Sequence, residues 1–181
     1  MRFAFFSALI VSSLLISCDR PGVGAATGTS TGGTITAHFS PKGGCTDAIV
    51  ATIGEARQTL DVQAYSFTSV PIAQAVVAAC NRGVKVRVVL DKSERTDKYS
   101  SATFLKNHQV PVYIDDQHAI AHNKIVIVDG QTLITGSFNF SKKAEEENAE
   151  NLLVIRGNPE LLKEYMANFE KHMGHSQRYA P

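Results

Sequence analysis

The sequence predicts an α/β fold: a three-layer α/β/α sandwich around a mixed, largely parallel β-sheet. Three patterns point there. Residues 46–90 run helix, strand, helix, strand at the spacing of a parallel βαβ unit. Residues 125–140 read as two strands joined at Asp129-Gly130, a hairpin turn pair. Residues 159–172 close the chain with an amphipathic helix opened by Pro159.

In order, Ala48, Ile49, Ile53 and Ala56 recur at helical spacing between Thr46 and Gln58, and Leu60–Phe67 then alternates as a strand. Pro71 opens a second helix that Arg82-Gly83 stops, and Val84–Leu90 follows as a strand ending at Asp91. Lys92–Lys98 is a charged loop, Tyr99–Asn107 a helix and Val110–Ile114 a short strand. Ile125–Val128 is a continuous apolar run that must be buried on both faces. Leu133–Phe140 is its return strand and Leu152–Ile155 another.

A chain of 181 residues, 44% hydrophobic, suffices for one domain with a core. Eighteen Lys+Arg against seventeen Asp+Glu give a formal charge of +1, which excludes a global cationic field for polyanions and an acidic disordered tail. Any nucleic-acid binding must be local.

Residues 1–17 read as an export signal, with Arg2 ahead of the apolar run Phe3–Ile16. Leu15-Ile16-Ser17-Cys18 matches a bacterial lipobox, in which Cys18 is lipidated, and Val23-Gly24-Ala25 offers a competing small-residue cleavage site. Either cut leaves a formally neutral chain outside the cytoplasm: periplasmic, anchored to the membrane through Cys18, or secreted. Residues 18–36, rich in Gly, Ser and Thr, are expected to be a flexible tether, with 37–181 as the folded domain. Cys45 and Cys80 can pair as a disulfide in such a compartment, the alternative being two buried free thiols.

Chemistry-bearing residues concentrate between Ala121 and Asn139. His122 and Lys124 are two apart on the predicted strand and therefore share a sheet face. A two-residue turn at Asp129-Gly130 would set His122 opposite Ser137 and Lys124 opposite Thr135, with Asn139 on the same face as Ser137. An odd-length loop would turn Ser137 and Asn139 away. His122, Lys124, Ser137 and Asn139 suit a phosphoryl group: Lys124 as a point charge, Ser137 and Asn139 as neutral donors, His122 as nucleophile or proton carrier. No second His, Cys or carboxylate at metal-ligand spacing accompanies them, so neither metal nor cofactor is expected.

At these residues the chain resembles the phospholipase D superfamily. The pattern H-x-K-x4-D-x6-G-S-x-N is met by His122, Lys124, Asp129, Gly136, Ser137 and Asn139, and Glu150 falls where the family's later acidic residue sits. The resemblance runs from about residue 38 to 172 through Val62–Thr68 and Arg82–Val86, and is similar to the small bacterial branch of exported endonucleases with one motif per chain. It implies that 37–181 is a catalytic domain. It further implies that His122 attacks phosphorus, that Lys124 and Asn139 hold the non-bridging oxygens, and that Glu150 orients the His122 ring. Asp129 is either catalytic or a turn residue receiving backbone hydrogen bonds. Since the family's reaction uses two motifs, a two-fold homodimer is expected to bring two His122 together. The implied substrate is DNA, with RNA as a second polymer and membrane phospholipid as the alternative.

The remaining candidates have simpler readings. His38, His108 and His118 read as solvated or core imidazoles, and Glu145-Glu146-Glu147 as a solvated face. Lys92 and Arg95, beside Lys98 at the end of a parallel strand, either contact a polyanion backbone or serve solubility. Tyr65 and Phe67 are core residues or stack on a base or lipid.

Overall fold

The structure is a computed structural model describing residues 26–30 and 33–180, with side chains from residue 33 onward. The leader, Cys18 and the tether through Ala25 lie outside the described residues. Among the described residues, nine strands form one mixed sheet in the order β1-β2-β8-β7-β6-β3-β4-β5-β9. They are β1 (Ala26–Ser30), β2 (Gly33–Ser40), β3 (Thr59–Ala64), β4 (Lys85–Asp91), β5 (Val112–Asp115), β6 (Lys124–Val128), β7 (Thr132–Gly136), β8 (Glu150–Arg156) and β9 (Gln177–Arg178). Helices α1 (Cys45–Glu55), α2 (Val70–Asn81), α3 (Ala102–Asn107), α4 (Lys142–Glu146) and α5 (Pro159–His175) complete the elements of the described residues, with a 3₁₀ turn at Lys92–Arg95.

The three-layer architecture and mixed sheet are as expected, but the balance of directions is not. Only β3–β4 and β4–β5 pair in parallel, while the other six pairings are antiparallel. The β3-α2-β4 crossover makes the parallel part. Short connections and the returning strands β6, β7 and β8 make the rest antiparallel.

Strand periodicity divides the core in two. Val126 and Val128 join Leu60, Val62, Val88, Ile134 and Val154 beneath α1 and α2. Ile125 and Ile127 join Val89, Leu133 and Ile155 beneath Leu162 and Phe169 of α5. This is why Ile125–Val128 is apolar throughout: successive side chains point into opposite cores.

Four further expectations are corrected. The sheet begins inside the predicted tether, because β2 pairs Thr34 with Arg156, Ile35 with Ile155 and Thr36 with Val154; its polar residues are tied into the ladder by backbone hydrogen bonds that composition does not reveal. The predicted Tyr99–Asn107 helix forms only over Ala102–Asn107.

Cys45 and Cys80 are free thiols. Arg82, just past α2, donates from Nη2 to Ile53 O near the end of α1, so the two helices end together. Cys45 begins α1, about 12 Å of helix away, well beyond disulfide reach.

Glu145 is half-buried and caps α1. Its carboxylate accepts the N–H groups of Gly44 and Thr46 at 3.1 and 2.7 Å, where the helix dipole favours an anion. Only Glu146 and Glu147 remain exposed.

Candidate active site at the head of β6

β3 and β6 are antiparallel neighbours, with Ala64 paired to Lys124, so the end of one strand meets the beginning of the other. Past that pair, Tyr65 N–H donates to Asn123 O at 3.0 Å, which ties down the segment entering β6. His122 therefore lies just before the strand rather than on it, and its side chain is exposed. Its ring centroid is 4.6 Å from that of Tyr65, the planes tilted by 49°.

Lys124 is buried, only 5% exposed. Its Nζ donates to His122 O at 2.7 Å and lies 5.2 Å from the centroid of the Tyr65 ring. Burial pushes its pKa down to about 8, against the opposing charge of Glu150.

The approach to His122 is pinned from β4. Buried Asp91 accepts Ala121 N–H on Oδ2 at 2.7 Å, and the Ser93 N–H and hydroxyl on Oδ1. Burial works against its charge, but these donors outweigh it and hold the carboxyl below its ordinary range. Sequence reasoning missed this positioning role, although an aspartate at the end of a parallel strand was the available signal. Lys92 and Arg95 are part of the same bracing. Lys92 Nζ donates to His118 O at 2.9 Å, and Arg95 Nη2 is 3.7 Å from Asp116 Oδ2.

On the other side, β6 and β7 pair Val128 with Thr132 and Ile125 with Thr135, one residue out of the predicted register. The Asp129-Gly130 turn forms, with both φ positive and Gln131 N–H donating to Val128 O at 2.9 Å, but Gln131 is an extra bulged residue. A second bulge follows Gly136. The N–H groups of Ser137 and Phe138 both donate to Asn151 O, at 3.1 and 3.2 Å. Gly136 has φ 151° and its Cβ would meet Asn151 O at 2.3 Å, so glycine is required there.

The bulge sends Phe138 into the core and leaves Ser137 exposed. The Ser137 hydroxyl donates to Glu150 Oε2 at 2.6 Å and accepts Asn151 N–H at 3.0 Å. Asn148 Nδ2 donates to the other oxygen of Glu150 at 3.0 Å. Glu150 is thus held by Ser137 and Asn148 rather than bonded to His122, and within one chain it acts on the site through its charge on Lys124. Asn139 Oδ1 is buried with no hydrogen-bond partner among the described residues. Leaving such an atom unsatisfied costs about 1–3 kcal/mol, so this amide is a polar group still open to a hydrogen-bonding partner.

Asp129 is not brought to this end. It sits beyond β6, about 16 Å of strand from Lys124. Its carboxylate accepts the N–H groups of Arg57, Gln58 and Thr59 at 2.8–2.9 Å. Burial opposes its charge, but these donors hold its pKa below the ordinary value, and its role is to clamp the turn. Of the two aromatics, Phe67 is core and packs edge-on against Phe140 at 5.6 Å, whereas Tyr65 is half-exposed against His122.

Residues 49–173 match the family described as cardiolipin synthase, PLD-like domain. A phospholipase D of Rickettsia conorii is 40% identical over 131 residues, 72% of this chain; the match spans 65% of that protein's length. Among solved structures, the phospholipase D family member Nuc from Salmonella typhimurium is 34% identical with a TM-score of 0.78, covering 82% of this chain and 99% of that one. NucT from Helicobacter pylori has the same fold at 23% identity and a TM-score of 0.72, covering 80% of this chain and 99% of that one. A fold shared along nearly the whole of Nuc, a family model spanning the segment that carries His122, Lys124 and Asn139, and one copy of the motif together establish that the chain belongs to the phospholipase D superfamily of phosphodiesterases.

Proposed function

We propose that the protein is a metal-independent phosphodiesterase, a sequence-nonspecific endonuclease that cleaves DNA, with RNA as a second polymer substrate, and acts as a homodimer with one shared active site. The supporting observation is His122 itself. Its imidazole is exposed, has no hydrogen-bond partner among the described residues, and packs at a tilt against Tyr65 beside the buried Lys124 ammonium. One chain carries one such imidazole, and Ile120, 56% exposed two residues earlier, gives this face an apolar contact for a second copy.

In the dimer, one His122 attacks phosphorus, forming a P–N bond as the P–O bond to the leaving oxygen breaks. The partner's His122, protonated, gives its proton to that oxygen. Water then attacks the phosphohistidine, the same partner imidazole takes the water's proton, and the P–N bond breaks. Lys124 and Asn139 hold the non-bridging oxygens, where negative charge grows in each transition state. These groups supply the charge and the proton transfers without calling on a metal. The leader read in residues 1–17, with Cys18 as its lipid-bearing alternative, supports an exported enzyme, periplasmic or membrane-anchored.

Coverage of 99% of Nuc, a phospholipase D family member about the size of this domain, supports a small enzyme of this kind with one motif per chain, and the name of the Rickettsia relatives keeps phospholipid as the alternative substrate. The test is to incubate the protein and His122→Ala with plasmid DNA, RNA, and phosphatidylcholine or cardiolipin vesicles in excess EDTA, with circular dichroism to verify folding. DNA cleavage lost in the variant supports the proposal. Head-group release without nucleic-acid cleavage would replace it with the lipid reading, and a folded wild type inert on all substrates would overturn both.

A further inference from the structure

Beyond this site, Asp115, His118, His172 and His175 converge from segments far apart in sequence. Asp115 ends β5 and its carboxylate is fully buried. His118 lies in the following loop, and His172 and His175 are one turn apart on the last turn of α5, hence on one helix face. His172 Nδ1 is 2.6 Å from Asp115 Oδ2, and His118 Nδ1 is 3.2 Å from both carboxylate oxygens. His175 Nε2 is 3.2 Å from Oδ1 but outside hydrogen-bonding direction, so this buried nitrogen has no hydrogen-bond partner among the described residues. The three ring centroids lie 4.8–5.5 Å apart.

We propose that these four residues form a structural binding site for a divalent transition metal of the zinc class. Three imidazole nitrogens and a carboxylate oxygen are a donor set suited to such ions. One ligand atom from each residue falls within 4.8 Å of all the others. A tetrahedral zinc site with bonds of about 2.0–2.1 Å spaces its donors roughly 3.3 Å apart, so small side-chain rotations would close this one. The competing arrangement, a carboxylate accepting three N–H donors, accounts for His118 and His172 but leaves His175 Nε2 aimed elsewhere. Four protein ligands fill a tetrahedron with no open position, the pattern of a structural rather than a catalytic site.

Its effect follows from what it joins. α5 and β9 would be fastened to β5 and to the 116–121 loop, whose other anchors include Lys92 Nζ on His118 O, Arg95 on Asp116 and Asp91 on Ala121 N–H. His122 is the next residue. The site would therefore stiffen the approach to His122 without taking part at the reacting atoms, whichever phosphodiester is cleaved.

The test uses untagged protein stripped with chelator and dialysed, then titrated with Zn²⁺ by calorimetry, with Co²⁺ absorption as a readout of geometry. Expected results are one Zn²⁺ per chain, intense tetrahedral Co²⁺ bands, and a higher Tm with metal than without. His118→Ala, in a half-exposed loop position, and His175→Ala should each bind more weakly by more than the roughly 10–100-fold that losing an outer-shell partner costs. His108→Ala, outside the cluster, should bind as wild type. Failure of the wild type to bind stoichiometrically, octahedral Co²⁺ spectra, or unchanged affinity in folded His118→Ala and His175→Ala would overturn the proposal.

Discussion

Tyr65 and His122 meet at a ring separation of 4.6 Å although 57 positions separate them in sequence, because Tyr65 N–H is bonded to Asn123 O where β3 leaves and β6 enters the sheet. The phenol ring backs the imidazole on one side and lies 5.2 Å from Lys124 Nζ. Tyr65→Phe keeps the ring and should keep most activity. Tyr65→Ala should lower kcat by roughly 10–100-fold through a mispositioned imidazole, with a smaller effect on KM. Steady-state kinetics of both variants checks this, and equal losses in the two would discount the ring.

Lys124 couples stability to activity. Its folded pKa of about 8 lies below the unfolded value of 10.5, so between those values the unfolded chain binds more protons and stability rises with pH. Lys124→Met should accordingly raise stability at pH 7 by on the order of 2 kcal/mol while abolishing turnover. Paired denaturation and activity assays check both halves. Under the proposed exchange of acid and base roles, a bell-shaped rate profile is expected in the wild type, its alkaline limb falling near pH 8 as Lys124 loses its proton. A rate constant from pH 5 to 9 would contradict it.

Glu94 has the opposite linkage. It is 2% exposed, and burial pushes its pKa up to about 7 although Oε1 accepts Phe67 N–H at 3.3 Å. Between the unfolded value of 4.5 and about 7 the folded chain binds more protons, so stability falls as pH rises through that window. Glu94→Gln should flatten this dependence and stabilise the protein above pH 7 by on the order of 2–3 kcal/mol. Urea unfolding at pH 5 and pH 8 reads the difference, and a pH-independent gain would argue against the assignment.

Asp129 should matter for folding and not for chemistry. Asp129→Ala removes three backbone hydrogen bonds and should cost about 1–3 kcal/mol, with kcat of the folded fraction unchanged. Because its folded pKa is depressed, its contribution is present above the unfolded pKa and is lost as pH falls through the folded one. A kcat that drops at full folding would return Asp129 to the catalytic set.

The cysteines separate by burial. Cys80 should alkylate in the native protein without prior reduction. Cys45 is fully buried, and burial together with Glu145 and Glu150 raises its pKa to about 11, so it should react only on unfolding. Peptide mass mapping distinguishes them, and protection of both lifted only by a reductant would restore the disulfide.

Periodicity made β3, β4, β6, α2 and α5 legible in the chain, and fixed motif spacing made His122, Lys124 and Asn139 legible as one set. Both signals live within single elements. The register of β6 against β7 was not legible, because the bulged Gln131 shifts every pair by one and local propensity carries no record of the partner strand. Nor was the strand in residues 33–36, whose polar composition is overridden by pairing with β8.

Fold class, family and the set of candidate reacting residues are thus properties of short-range pattern, where the physics is repeat and spacing along one backbone. Tertiary docking alone assigned Glu150 to Ser137, clamped Asp129 to the backbone of residues 57–59, and split Tyr65 from Phe67. It also gathered His172 and His175 around Asp115, across 57 and 60 positions of sequence. Such contacts depend on how separately formed elements pack, and only closure of the whole sheet and its helices brings those distant side chains within bonding distance.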